Sequence, residues 1–210
     1  MDGFNLYHSL HNLGNPELKW LSLRALGEKI LPQKSEELVW IGYFSAIANQ
    51  LRTSRPESVQ RHLTYIDALE ATDVQVVLGN FKRKSVHCRA CKHHWIRHEE
   101  KETDVSIAIQ LVAMALMGEI DVAYVLSADT DLAPAFEMLR SRAKGVEIVS
   151  VLPPVAPGER LFAAALTERA SRVISLSENN IRAARFEDTV THPSRGPIAC
   201  PADYRKDAPT

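Results

Sequence analysis

Residues 122–132 read VAYVLSADTDL, an apolar run that ends abruptly in two carboxylates, Asp129 and Asp131. Unbroken apolar character over five to eight residues suits a strand covered on both faces, the usual state of a strand in a parallel sheet. Two carboxylates this close repel each other and resist burial. They must either splay into solvent at a loop or be offset by a cation or a shared proton. Helical period resumes at 132–144, so the stretch reads as a strand feeding a helix. In an open parallel sheet, reactive groups gather at the carboxyl ends of the strands, and Asp129 and Asp131 stand at such an end.

The same pattern repeats along the chain. VWIGYFSAI (39–47), VQVVLGNF (74–81), DVAYVLSA (121–128), VEIVSVL (146–152) and RVISL (172–176) are strand candidates, and helical period marks 18–31, 56–71, 103–118, 132–144 and 158–169. Each crossover is long enough for a right-handed βαβ unit. The expected fold is α/β, a mainly parallel sheet of about five strands flanked by helices on both faces. One domain over 1–186 is expected, with a basic Cys/His-containing insert at 82–99. From Glu187 the chain carries four of its eleven prolines and no apolar period, so 187–210 reads as a flexible tail.

With 210 residues and 45% hydrophobic content the chain can bury a sizeable core. A formal net charge of −1 supplies no overall basic field, so a nucleic-acid partner would have to meet a local patch. Cys88, Cys91 and Cys200 are an odd set, no signal-peptide pattern opens the sequence, and no apolar run approaches the ~20 residues of a membrane span. A cytoplasmic protein with reduced thiols and no membrane partner is expected. A homodimer is compatible with a domain of this size, though nothing in the composition demands it.

Two further acidic stretches accompany Asp129 and Asp131. MDGFNLYH places Asp2 before a glycine that allows a tight turn, with Asn5 three residues on, and HEEKETDVSIAIQL sets Asp104 where an almost wholly apolar helix begins. Each has a plain reading: Asp104 as a residue favoured at a helix N-terminus, Asp129 and Asp131 as a cap or solvated loop, Asp2 as a solvated end. Only the set of three segments points to a shared site. Mg2+ and Mn2+ prefer oxygen ligands, and carboxylates from separated segments can build an open site for such a cation.

DGFNLY, EEKETDVSIAIQL and VLSADTDLAP, in this order and at these separations, resemble the NYN domain family, a branch of the PIN-like nuclease superfamily. The resemblance covers about residues 1–176. It implies a Rossmann-like (PIN-like) sheet and a ribonuclease site dependent on Mg2+ or Mn2+, with RNA as substrate. Position by position, Asp2, Asp104 and Asp129 match the metal-holding carboxylates, Asp131 the additional one, and Asn5 and Ser127 the polar supports. Members of the family have an apolar strand ahead of DGFN where this sequence shows only Met1, so Asp2 is expected to be loosely held.

FKRKSVHCRACKHHWIRHEEK, residues 81–101, carries seven Lys or Arg against two Glu, a local balance of +5, and four of the eight histidines. Lys82, Arg83, Lys84 and Lys101 can bind phosphates without reading sequence, and Trp95 can stack on an unpaired base. The plain alternative is a solvated loop with Trp95 packed on the core. Cys88 and Cys91 form a CxxC, one half of a structural Zn2+ site for which His87, His93, His94 and His98 are candidate partners. Free thiols are the simpler reading.

Two other classes compete with a ribonuclease. A module that binds RNA or a protein partner without turnover would keep the same pocket. DTDL after a strand also partly imitates the nucleophile motif of haloacid-dehalogenase-type phosphatases, but it follows a late strand and position 133 is Ala. No GxGxxG or GxxxxGK[ST] occurs.

Overall fold

The computed structural model describes residues 1–32, 35–159 and 163–205. In chain order the elements are α1 (Gly3–Asn12), α2 (Leu23–Ile30), β1 (Gly42–Ala46), α3 (Pro56–Glu70), β2 (Gln75–His87), β3 (His94–Lys101) and α4 (Thr103–Leu116). They continue with β4 (Val122–Leu126), α5 (Ala133–Arg142), β5 (Glu147–Leu152), α6 (Ala164–Thr167), β6 (Arg172–Ser175), α7 (Glu178–Ala183), β7 (Thr189–His192) and β8 (Gly196–Ala199). No described helix is long and apolar enough to cross a membrane.

The fold is α/β with parallel strand pairs, and the strands fall in small sheets of two and three where one sheet of about five was expected. The strands form one three-stranded sheet in the order β1-β2-β3, another in the order β4-β5-β6, and the two-stranded β7-β8. β1 pairs with β2 in parallel, as do β4 with β5 and β5 with β6, whereas β2 and β3 are antiparallel. In the plane of the strands, Met1 and Asp2 bridge the two larger sheets by backbone hydrogen bonds. Phe44 N–H donates to the Met1 carbonyl at 3.0 Å, and Asp2 N–H donates to the Leu126 carbonyl at 3.0 Å. Beside Met1 the gap between β1 and β4 opens into a cavity of about 440 Å3, with Trp40, Phe44, Ile107, Leu111, Ala123 and Val125 among its walls.

Strand alternation divides the core into two layers. Tyr43, Leu126, Val149 and Val151 face Leu6 and Leu10 of α1, Leu23 and Leu26 of α2 and Leu69 of α3. Phe44, Val125 and Ile148 face Ile107 of α4, Phe136 of α5 and Leu166 of α6. Helix boundaries follow from capping chemistry. Ser22 accepts from Ala25 N–H, α3 opens with Pro56, and Ser177 and Asn180 form a capping box on α7. The expected helix over 18–31 is split because the Trp20 carbonyl takes Phe186 N–H and Ser22 restarts the chain as α2. α1 is unexpected, and the part of the helix candidate near 158–169 that falls on 160–162 lies outside the described residues.

Two other expectations are corrected. Residues 187–205 are not a flexible tail: β7 and β8 pair, Cys200 and Tyr204 are buried in the main core, and Trp20 Nε1 donates to the Glu187 carbonyl at 2.8 Å. Residues 206–210 lie outside the described residues. The insert is also no loop. β2 and β3 form a long hairpin whose outer half is exposed, and Trp95, 43% exposed, does not pack into the core.

Candidate active site

The carboxyl ends of β4 and β5, the end of β3, the start of α1 and the start of α4 converge on an open cavity of about 360 Å3. Asp2 is the N-cap of α1, its Oδ1 accepting Asn5 N–H at 3.0 Å. The chain can enter α1 at this angle because position 3 is glycine. A Cβ there would lie 2.7 Å from the Tyr43 ring and 2.8 Å from the Phe44 carbonyl oxygen. Far from being loosely held, Asp2 is only 4% exposed, and its Oδ2 accepts from Ser127 Oγ at 2.8 Å.

Ser127, fully buried just after β4, also accepts Asp129 N–H at 3.0 Å, and Asn5 Oδ1 accepts Ala128 N–H at 3.1 Å. Asp129 in turn caps a short 3-10 turn by accepting Asp131 N–H at 2.9 Å. The plain capping role is therefore real, but it engages a single oxygen. Asp104 sits in the first turn of α4, behind a residue, Glu102, in left-handed conformation at φ 82°. Close approach of β2 to this corner requires Gly79, where a Cβ would meet the Lys101 carbonyl oxygen at 2.6 Å.

Asp104, Asp129 and Asp131 offer ligand oxygens that all lie within 4.8 Å of one another, the one such group of three found among the described residues. Asp2 lines the same cavity. Burial, then the charges of Asp129 and Asp2, push the Asp104 carboxyl up to about 6, while burial raises Asp2 despite its hydrogen bonds. A cavity that raises the pKa of its own carboxylates lacks positive charge. Three oxygen-only donors with that deficit fit a hard divalent cation such as Mg2+ or Mn2+.

Several lining residues escaped the sequence reading. Glu100 stands in the cavity wall and accepts Thr103 N–H at 3.2 Å. His8, Ser9 and Asn12 share with the expected Asn5 one face of α1, and their spacing of three and four from it is the signal that could have found them. Pro153 and Pro154, after β5, complete the wall, and the Pro154 carbonyl accepts from Ser9 Oγ.

Of the basic residues, Lys82 pairs with Glu102 at 3.4 Å, and Lys84 and Lys101 pair with Glu99 at 2.8 and 3.3 Å. Alternation sets Lys82, Lys84, Trp95 and Lys101 on one face of the hairpin. Phe81, Arg83 and Glu100 share the other. That second face meets the cavity, for the Phe81 ring lies edge-on to Phe4 at 5.6 Å. Cys88 and Cys91 sit at the exposed tip of the hairpin, away from the acidic cluster.

The model of the NYN domain matches residues 1–177, and the chain belongs to that family. It is 29% identical over 185 residues to 6-hydroxy-3-succinoylpyridine 3-monooxygenase HspA from Pseudomonas putida, covering 73% of this chain. The match takes in only 58% of that protein's length. Among solved structures it is similar to a protein of unknown function from Vibrio parahaemolyticus. The TM-score is 0.49 at 17% identity, covering 84% of this chain and 89% of the other.

Proposed function

We propose that the chain is a divalent-metal-dependent endoribonuclease that hydrolyses phosphodiester bonds of single-stranded RNA. The observation that carries this reading is the convergence of Asp104, Asp129 and Asp131 within 4.8 Å, from two separate sheets, beside the buried Asp2. The finer fold reading belongs with it: a Rossmann-like, PIN-like layer in which the two larger sheets act as one across Met1 and Asp2. Mg2+ or Mn2+ held there would supply Lewis-acid polarisation of the scissile phosphate and acidify water.

The chain's own residues do the rest. Asp129 and Asp131 are locked in one loop by the Asp131 N–H, and Ser127 and Asn5 fix the backbone leading into it. Asp104, whose carboxyl is raised to about 6 by burial and the neighbouring charges when no cation is bound, is placed to hold the cation and orient an attacking water. Arg83, on the hairpin face that meets the cavity, can steady a phosphate of the incoming strand.

Cleavage of an end-labelled single strand in Mn2+, abolished by EDTA and by Asp129→Asn, is the expected result. Binding without cleavage would identify a silent RNA-binding module. Release of phosphate from small monoesters would favour the phosphatase. The relative's printed name supports a second enzymatic reading, monooxygenation of a pyridine, and consumption of dioxygen on adding such a substrate together with a reductant would favour it over hydrolysis.

A further inference from the structure

The hairpin tip has no apolar support, yet it has a defined shape. Arg89 to Trp95 are all exposed. Cys88 N–H donates to the His93 carbonyl at 2.8 Å, and Lys92 N–H closes back on the Cys88 carbonyl at 3.0 Å. Lys92 takes a left-handed conformation, φ 59°, which a lysine adopts only at a cost. This turn holds the second cysteine beside the first.

We propose that this tip is a zinc site, with the thiolates of Cys88 and Cys91 and the imidazole of His93 as its protein ligands and a fourth position open to solvent. A turn closed by two backbone hydrogen bonds at Cys88, and a left-handed residue directly after the second cysteine, bring the two thiols of the CxxC to one side of the tip, as two ligands of one cation require. Sulfur with imidazole nitrogen selects Zn2+ over the hard cations that suit the carboxylates.

Register chooses among the histidines. His87 pairs with His94, so the Cys88 to His93 bond continues the ladder by one step and puts those two side chains on the opposite face from His87 and His94. His87 and His94 stack on each other at 5.0 Å, out of reach of the thiols by this alternation. His98 pairs with Arg83, four residues down the strand from His94, or about 13 Å away at the usual rise per residue. The His93 ring lies against Trp95 at 6.0 Å, and Cys88, Cys91 and His93 do not bring three ligand atoms within 4.8 Å of one another, so metal binding requires the ring to turn towards the sulfurs.

The site stands independently of the acidic cluster and of RNA cleavage, so its test does not need the nuclease reading. Elemental analysis of the full-length chain should find about one zinc per chain by ligand count. Co2+ added to metal-free protein should give thiolate charge-transfer bands and the intense visible bands of a tetrahedral ion. Cys88→Ser and Cys91→Ser should each abolish these bands, and His93→Ala should weaken Zn2+ binding by about 100-fold, the share of one ligand in four. His94→Ala and Asp129→Asn should leave it unchanged. Zinc-free protein with no cobalt–thiolate bands would overturn the proposal. So would equal losses in His93→Ala and His94→Ala, or half a zinc per chain in a dimer bridged tip to tip.

Discussion

Ser127 Oγ donates to Oδ2 of Asp2 at 2.8 Å and at the same time accepts the Asp129 N–H at 3.0 Å. One buried hydroxyl thus ties the N-cap of α1 to the acidic loop after β4, across 125 residues of sequence. Ser127→Ala should cost about 1–3 kcal/mol, because it leaves a buried carboxylate oxygen and an amide without their partner. Urea unfolding checks the stability. If the cleft is a nuclease site, kcat should fall more than KM rises.

Asp104→Asn, Asp129→Asn and Asp131→Asn each remove a charge from the group that converges within 4.8 Å. The first two should lower Mn2+-dependent RNA cleavage by at least about 100-fold, the loss of roughly 3 kcal/mol of transition-state stabilisation. Asp131 is the most exposed of the three, so its loss should be milder. Single-turnover cleavage of a labelled strand measures all three, and equal activity in Asp129→Asn would remove the catalytic reading.

Asp104, held up at about 6, fixes the sign of the pH dependence. Its unfolded pKa is near 4, so between about 4 and 6 the folded chain binds more protons than the unfolded one, and stability falls as pH rises through this window. Metal-free protein should therefore melt lower at pH 7 than at pH 5 as far as this group decides it. Mn2+ should reverse the slope by favouring the ionised form, and Asp104→Asn should flatten it. Calorimetric melting with and without Mn2+ reads all three outcomes.

Gly3→Ala tests how the helix meets the sheet. The new methyl would lie 2.7 Å from the Tyr43 ring and 2.8 Å from a backbone oxygen, and backbone cannot swing aside. A destabilisation of about 1–3 kcal/mol is expected from the forced shift. Because Asp2 is the neighbouring residue, Mn2+ affinity should fall too, which isothermal titration would show.

Arg83 and Lys84 should behave differently towards a single strand. Arg83→Ala, on the face that meets the cavity, should lower the slope of log binding against log salt by about 0.7. Lys84 is already paired with Glu99 at 2.8 Å and faces the other way, so the slope in Lys84→Ala should change less. Filter binding over a salt series compares them, and identical slopes for the two variants would remove the hairpin face from the substrate path.

Most of the framework could be read from the residues. The strands at 42–46, 122–126 and 147–152 are almost wholly buried, so their apolar runs are continuous and unmistakable. β3, β7 and β8 were invisible because they are short or exposed antiparallel strands with no such run, and β8 contains Pro197. The 187–205 segment is held by side chains that composition does not announce, such as Arg185, which donates to the Tyr204 carbonyl at 3.0 Å. In the site, Asp104, Asp129 and Asp131 could be read because each marks the end of an apolar run or the start of a helix. His8, Ser9 and Asn12 belong to it only once 3–12 is known to be a helix.

The seam at Met1 and Asp2 makes the acidic cluster a mechanical fastener. Asp104 follows the hairpin of one sheet, Asp129 and Asp131 ride on the other, and between the sheets the backbone link is two residues wide. A cation shared by these carboxylates would bolt the two halves together. Its departure would leave the seam and the shared core to hold them, so loading the metal and stiffening this junction would be one event.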